Sequence, residues 1–206
     1  DNIEIYNNSP KVFNLSGWKY MYNTTAKIFP SFILLPDSYL ILCSVADTSL
    51  FSLYGNVLGI ASWPALVDGG ASLSILDNSD NIIDALTYSS SWNGFTGGKS
   101  MELINPDNPC SGAINWVASN DSSGGTPGKI NSAYNNSPDT IAPSLVSVTV
   151  VSANTIELTF IEPMDSASLT FGTYTLDNGN QVYSLYIPPV NYSVVSLTLG
   201  YDIDTR

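Results

Sequence analysis

Period-two alternation of apolar residues constrains this chain more than any other feature. Val146, Val148 and Val150 alternate with Ser147, Thr149 and Val151. Ile156, Leu158 and Phe160 alternate with Thr155, Glu157 and Thr159. Leu73 and Ile75 alternate with Ser72 and Ser74, and Ile3 and Ile5 sit in a similar run. Successive side chains of a strand point to opposite faces, so each run predicts a half-buried strand. No window offers a capped helix of ten or more residues. Pro and Gly punctuate the runs regularly, as a sheet sandwich requires. The expected fold is all-β, with short helical turns at most.

A length of 206 residues suits one large or two small domains. Periodicity stops across NSAYNNSPDTIAP, residues 131–143, and restarts at Leu145. That polar stretch with two prolines is the best boundary. The expected division is a domain over 1–133, a linker over 134–143 and a second domain over 144–206.

Residues 97–132 form an unusually long connection. A short strand pattern over 100–104 leads into a polar loop holding Pro106, Pro109, Cys110 and Trp116. It closes on Gly-Gly-Thr-Pro-Gly, residues 124–128. Loops of this length inside a domain normally serve a purpose. The loop reads as a strap: Cys110 tied to the strand ending at Cys43, Trp116 filling the core, and residues 124–128 turning the chain out toward the next domain. A Cys43–Cys110 disulfide closes a loop that stabilises by roughly 4 kcal/mol on the chain-entropy model, and argues for an oxidising compartment. The alternative is two unpaired thiols, one buried and one exposed.

Charge and composition exclude several classes of function. The net charge is −12, and charged residues make up only 12% of the chain. All five lysines lie in residues 1–133 among eleven acids, and Arg206 is the lone base after them. Nucleic acid and anionic membranes both call for a basic face, so neither is an expected partner. No apolar run approaches the ~18 residues of a membrane-spanning helix. The chain has no histidine. That removes Ser-His-Asp and Cys-His catalysis, and two cysteines alone cannot fill a zinc site. GGKS at residues 97–100 lacks the glycine spacing of a phosphate loop. A pair of carboxylates remains possible chemistry for glycoside hydrolysis. Glu4 and Glu102 lie in strand patterns and are expected to face solvent.

Two further loops carry clustered polar or aromatic side chains. Asp77, Asn78, Ser79, Asp80 and Asn81 join two alternating runs and read as a hairpin loop. Calcium is the other reading for that cluster, although the Gly and terminal Glu of an EF-hand loop are missing. The segment YSSSWNGF carries Tyr88, Trp92 and Phe95. It reads either as an exposed aromatic loop that stacks on sugar or protein, or as a loop whose Trp92 folds back over the sheet. Trp18 and Trp116 are expected to pack in the core.

Four ordered matches suggest a family. Residues 3–7 read IEIYN and residues 14–18 read NLSGW. LPDSYLILCS follows at 35–44, and ASLSILDNSDNIIDALTY at 71–88. With the 97–132 stretch, these resemble the lamin-tail domain, an immunoglobulin-like module of lamins and of many secreted bacterial proteins. The family's usual strand upstream of IEIYN is lacking, so the first strand is expected to be missing. Residues 142–179 are similar to a bacterial immunoglobulin-like domain of surface-layer proteins, with TIELTFIEPMD at 155–165 the specific part. Pro163 and Asp165 are expected to turn the chain there. Only about two-thirds of that domain's usual length follows the linker, so its last strands are expected to be missing too.

The resemblance implies two immunoglobulin-like β-sandwiches, the second incomplete. It implies a non-catalytic binding or structural module of an exported protein, extracellular or at a bacterial cell surface, with the periplasm as the other location, and with protein or glycan as partner and no cofactor. Two alternatives stand beside it: an accessory module of a secreted nuclease, phosphatase or protease, and a glycan-binding module.

Overall fold

The alternating runs fold as strands, and the helical pieces are short. The computed structural model describes residues 1–92, 94, 97–137, 142–164, 166–177, 179–188 and 192–203; the side chains of 109–111 and 166 also lie outside that description. The chain divides into two units: Asp1–Asp107 with Ala113–Ser137, and Asn108–Gly112 with Pro138–Arg206. Part of the expected linker, residues 138–141, lies outside the described residues, as does Asp165.

The described strands of the first unit are β1 (Asn2–Tyr6), β2 (Phe13–Asn14), β3 (Lys19–Tyr22), β4 (Thr25–Ile28), β5 (Ile33–Leu34), β6 (Tyr39–Ser44), β7 (Val57–Ile60), β8 (Gly70–Leu76), β9 (Ile82–Ser89), β10 (Met101–Leu103) and β11 (Trp116–Ala118). One sheet has the order β1-β6-β7 and another the order β4-β3-β8-β9. β2 pairs with β5, and β10 with β11. All these pairings are antiparallel except β6 with β7. A single helical turn, α1 (Thr48–Phe51), lies between β6 and β7.

Strand alternation builds the core between the two larger sheets. Ile3 pairs with Leu42 and Ile5 with Leu40, which puts all four on one face. Leu58 and Ile60 continue that face on β7. Tyr20, Tyr22, Leu73 and Ile75 pack from β3 and β8, and Leu15, Phe29 and Leu34 fill the flanks. Leu40 and Leu42 are fully buried, and each such side chain contributes about 2 kcal/mol.

The same core carries one imperfection. Tyr20 stacks on Trp63 at 5.3 Å between ring centroids. The Tyr20 hydroxyl and the Trp63 indole nitrogen are buried without hydrogen-bond partners among the described residues. A buried polar group left unpaired costs about 1–3 kcal/mol. Tyr20→Phe is therefore expected to hold or raise stability, by up to about 1 kcal/mol, in urea denaturation. A loss above about 1 kcal/mol means that the hydroxyl does have a partner.

The second unit is a four-stranded antiparallel sheet. Its strands are β12 (Leu145–Ser152), β13 (Thr155–Phe160), β14 (Val182–Tyr186) and β15 (Val194–Leu199), in the order β12-β13-β15-β14. Six residues form a second helix, α2 (Ser166–Phe171). Ile156, Leu158, Leu169, Val195, Leu197 and Leu199 make its core. β12 departs from expectation, because every one of its residues is exposed rather than half-buried. Val148 and Val150 pair with the buried Leu158 and Ile156, yet are 54% and 52% exposed. β12 is an edge strand with a neighbour on one side only, and its inner face extends past the packed core. Among the described residues, no helix is long and apolar enough to cross a membrane.

Candidate functional site

Alternation along β1 sends Ile3 and Ile5 into the core and turns Glu4 to the opposite face of the sheet. Glu4 pairs there with Ile41 of β6, and Asn2 with Cys43. Ile41 and Cys43 are both 0% exposed, so this second face is covered too. The residues after β11, 119–134, form a strap that docks on Glu4. The Gly128 amide donates a short hydrogen bond to Glu4 Oε2.

A second carboxylate anchors the same strap. Glu102 lies on β10, paired with Val117 of β11, and is 4% exposed. Its Oε1 accepts from the Thr126 hydroxyl at 2.7 Å. Its Oε2 accepts from the Ser132 hydroxyl at 2.7 Å and from the Ala133 amide at 3.1 Å. Nearby, the Asn131 side-chain amide donates to the Leu103 carbonyl at 2.9 Å, and the Ser119 and Ser132 hydroxyls lie 3.1 Å apart. A reciprocal pair closes the entry to this region. The Asn105 amide donates to Asn115 Oδ1 at 2.8 Å, and Asn115 Nδ2 donates to the Asn105 carbonyl at 2.7 Å.

The expectation that Glu4 and Glu102 face solvent is therefore corrected. Each does point away from the apolar core, as its strand position dictates. The strap then buries Glu102 and half-covers Glu4, and no strand periodicity reports that. The clue in the sequence is the spacing of Thr126, Gly128 and Ser132, which supplies three donors within seven residues.

The two carboxyls titrate in opposite directions. Burial pushes Glu4 up to about 7; the Gly128 amide opposes this and the nearby Glu102 charge adds to it. Burial also disfavours charge on Glu102, but the donors from Thr126, Ser132, Ser119 and Ala133 outweigh it and hold that carboxyl below its ordinary value. A raised carboxyl beside an ionised one is the electronic arrangement of a glycosidase pair. Here, however, the oxygens of Glu102 are occupied by the strap, and Gly128 holds one oxygen of Glu4. Neither residue lines the open groove found in the second unit. That groove, of about 540 Å³, lies in the second unit between residues 172–176 and 180–185, flanked by Tyr174, Leu176, Gln181, Tyr183 and Leu185.

Cys43 is a buried free thiol, which burial first, and then Asp47, push up. Its expected partner, Cys110, has its side chain outside the described residues. Trp18 packs on the core of the first unit, as expected. Trp116 does not fill that core. It is half-buried on β11 and packs on Trp92, with ring centroids 5.8 Å apart. Tyr88 is half-buried on β9, its hydroxyl donating to the Val67 carbonyl at 2.9 Å. Phe95 lies outside the described residues. Residues 124–128 do not lead the chain outward; Thr126 and Gly128 bind it back onto the first unit.

The loop over residues 77–81 caps itself. Asp77 Oδ1 accepts from the Ser79 and Asn81 amides at 2.8 and 2.9 Å, and Oδ2 from Asn81 Nδ2 at 2.8 Å. These bonds, the Asn81 side chain first, hold the Asp77 carboxyl below its ordinary value. Asp80 pairs with Lys19. The cluster's charge is thus engaged by Asp77's own loop and by Lys19 of β3, and among the described residues no group of three or more acidic or cysteine side chains is arranged to hold a metal ion. No protein-family model, curated protein or solved structure matches the chain.

Proposed function

We propose that this chain is a non-catalytic binding or structural module of an exported bacterial surface or secreted protein, built from immunoglobulin-like sandwiches of the lamin-tail and surface-layer kinds, and that it positions or adheres a larger polypeptide. The observation that carries this reading is the use made of Glu4 and Glu102. They are a raised and a lowered carboxyl on neighbouring parts of the first unit, and both are engaged in holding the strap. A catalytic pair needs open lone pairs and room for substrate. The net charge of −12 supports a protein or glycan partner over nucleic acid, because phosphate contacts need a basic face.

The test presents the immobilised chain with cell-envelope protein and polysaccharide fractions, and separately assays it on chromogenic ester, glycoside, phosphate-ester and peptide substrates. Saturable binding to one fraction without turnover is expected. Turnover that Glu4→Gln abolishes, or no saturable binding to any fraction, overturns the proposal.

A further inference from the structure

The groove of the second unit lies along β14, the edge strand of its sheet. Tyr174, Leu176, Val182 and Leu185 line it half-buried, and all four pack on the core of that unit. Thr173, Thr175, Gln181, Tyr183 and Ser184 line it exposed. Half-buried apolar surface beside a few polar side chains is the make-up of a ligand site. We propose that this groove binds a neutral sugar chain, with one pyranose ring stacked on Tyr183. The assignment rests on the reading of the chain as a non-catalytic binding module, and gives that module a ligand class and a place.

Regular alternation does not account for Tyr183. Val182 stands opposite Leu199 and Ser184 opposite Thr198, so Tyr183 is an extra residue without a counterpart on β15. A bulge of this kind interrupts the ladder and re-aims a side chain. The Tyr183 residue is 83% exposed, which leaves its ring open to solvent beside the groove. The same bulge spoils the edge for an added peptide strand, which needs a regular ladder to pair with. The frame around Tyr183 is held in place before any ligand arrives. The Tyr174 hydroxyl donates to the Leu169 carbonyl at 2.7 Å. Asn180 Nδ2 donates to the Tyr201 carbonyl at 2.9 Å, and its Oδ1 accepts from the Tyr201 and Gln181 amides at 3.2 and 3.0 Å. The Gly200 amide donates to the Gln181 carbonyl at 2.8 Å. A site already fixed loses less freedom on binding.

The chemistry of the lining selects the ligand class. A pyranose has an apolar face of C–H groups that stacks on an aromatic ring. Its edge carries hydroxyls that both donate and accept. The hydroxyls of Thr173, Thr175 and Ser184 and the side-chain amide of Gln181 have no hydrogen-bond partner among the described residues. Each of them can serve a sugar hydroxyl as donor or acceptor. Among the described residues no charged side chain lines the groove, and the chain as a whole carries −12. An anionic sugar or a phosphate would find repulsion and no cation to pair with. A cationic ligand would find no carboxylate in the lining. A neutral saccharide needs neither.

NMR titration of the full chain, read on its backbone amides, tests the groove. The probes are the β-1,4-linked hexamers of glucose, mannose and N-acetylglucosamine, the α-1,4-linked hexamer of glucose, and hexagalacturonate as the anionic comparison. At least one neutral hexamer is expected to give saturable shifts confined to residues 173–176 and 181–185, and hexagalacturonate none. Tyr183→Ala removes an exposed ring, so the fold is expected to persist while affinity falls at least about fivefold. Tyr186→Ala removes another exposed ring of β14 that does not line the groove, and is expected to keep affinity within about twofold. No saturable shift with any neutral hexamer, equal binding of hexagalacturonate, full affinity in Tyr183→Ala, or an equal loss in Tyr186→Ala overturns the assignment. Saturable shifts along β14 with a Thr-Val octapeptide in place of the sugars overturn it in favour of strand addition. Each of these failures leaves the binding-module reading intact, since saturable binding to an envelope fraction can reside elsewhere on the chain.

Discussion

Gly128→Ala is expected to destabilise the first unit by about 3–5 kcal/mol, among the largest effects of a single methyl group. Gly128 has φ of +76°, a left-handed conformation that a residue with a Cβ adopts at a cost of about 1 kcal/mol or more. Space is the larger obstacle. A Cβ built there stands 1.8 Å from the Tyr54 carbonyl oxygen and 2.7 Å from its carbon. Both are backbone atoms, so no side-chain rotation relieves the clash. The strap must move, and its amide then leaves Glu4. Urea denaturation followed by tryptophan fluorescence reads the loss. Gly97→Ala is the control, since among the described residues nothing lies within 4 Å of a Cβ there and its φ is not in the left-handed range. The control is expected to stay within about 0.5 kcal/mol. A Gly128→Ala protein as stable as the parent means that the strap does not rest against Tyr54.

Glu102→Ala is expected to cost a similar amount, about 3–5 kcal/mol, for a different reason. The substitution strands the Thr126 and Ser132 hydroxyls and the Ala133 amide in a buried site. Each unpaired buried donor costs about 1–3 kcal/mol, and water entering the space left by the side chain recovers part of the sum. Glu102→Gln loses less, because the hydroxyls can reorient toward its amide group while the Ala133 N–H keeps an oxygen. The pH profile separates this from general damage. Because the folded chain holds the Glu102 carboxyl low, its stabilisation is present at neutral pH and disappears as pH falls through the depressed value. The gap between parent and Glu102→Ala in thermal melts should therefore narrow in acid. A gap that is constant from pH 3 to 7 would show that the charge of Glu102 is not what matters.

The all-β character and most strands were legible in the sequence because one periodicity encodes them. Ile3 and Ile5, Leu73 and Ile75, and Ile156 and Leu158 all face cores as their alternation predicts. β12 shows where the pattern stops short. Alternation states which residues share a face, and it does not state whether anything covers that face. The same limit hid the candidate site. Glu4 and Glu102 were correctly turned from the apolar core, but their cover comes from residues more than twenty positions further along, in a loop without periodicity. Trp116 was misplaced because a large aromatic in a loop suggests a core plug, whereas a short strand pairing with β10 carries it toward Trp92 instead. The hairpin at residues 77–81 was readable, since Asp77 and Asn81 bond locally and local chemistry survives in the sequence.

Residues 119–134 are a structural part of the first unit, held by Glu4 and Glu102. Native-state hydrogen exchange at pH 5.5 tests it most directly, by comparing the Gly128 and Ala133 amides with those of Leu40 and Leu42 in β6. The strap amides are expected to be protected to within about a hundredfold of the β6 amides, and both strap amides to lose that protection in Glu102→Ala. Strap amides that exchange at the rate of an open loop while β6 stays protected would contradict it.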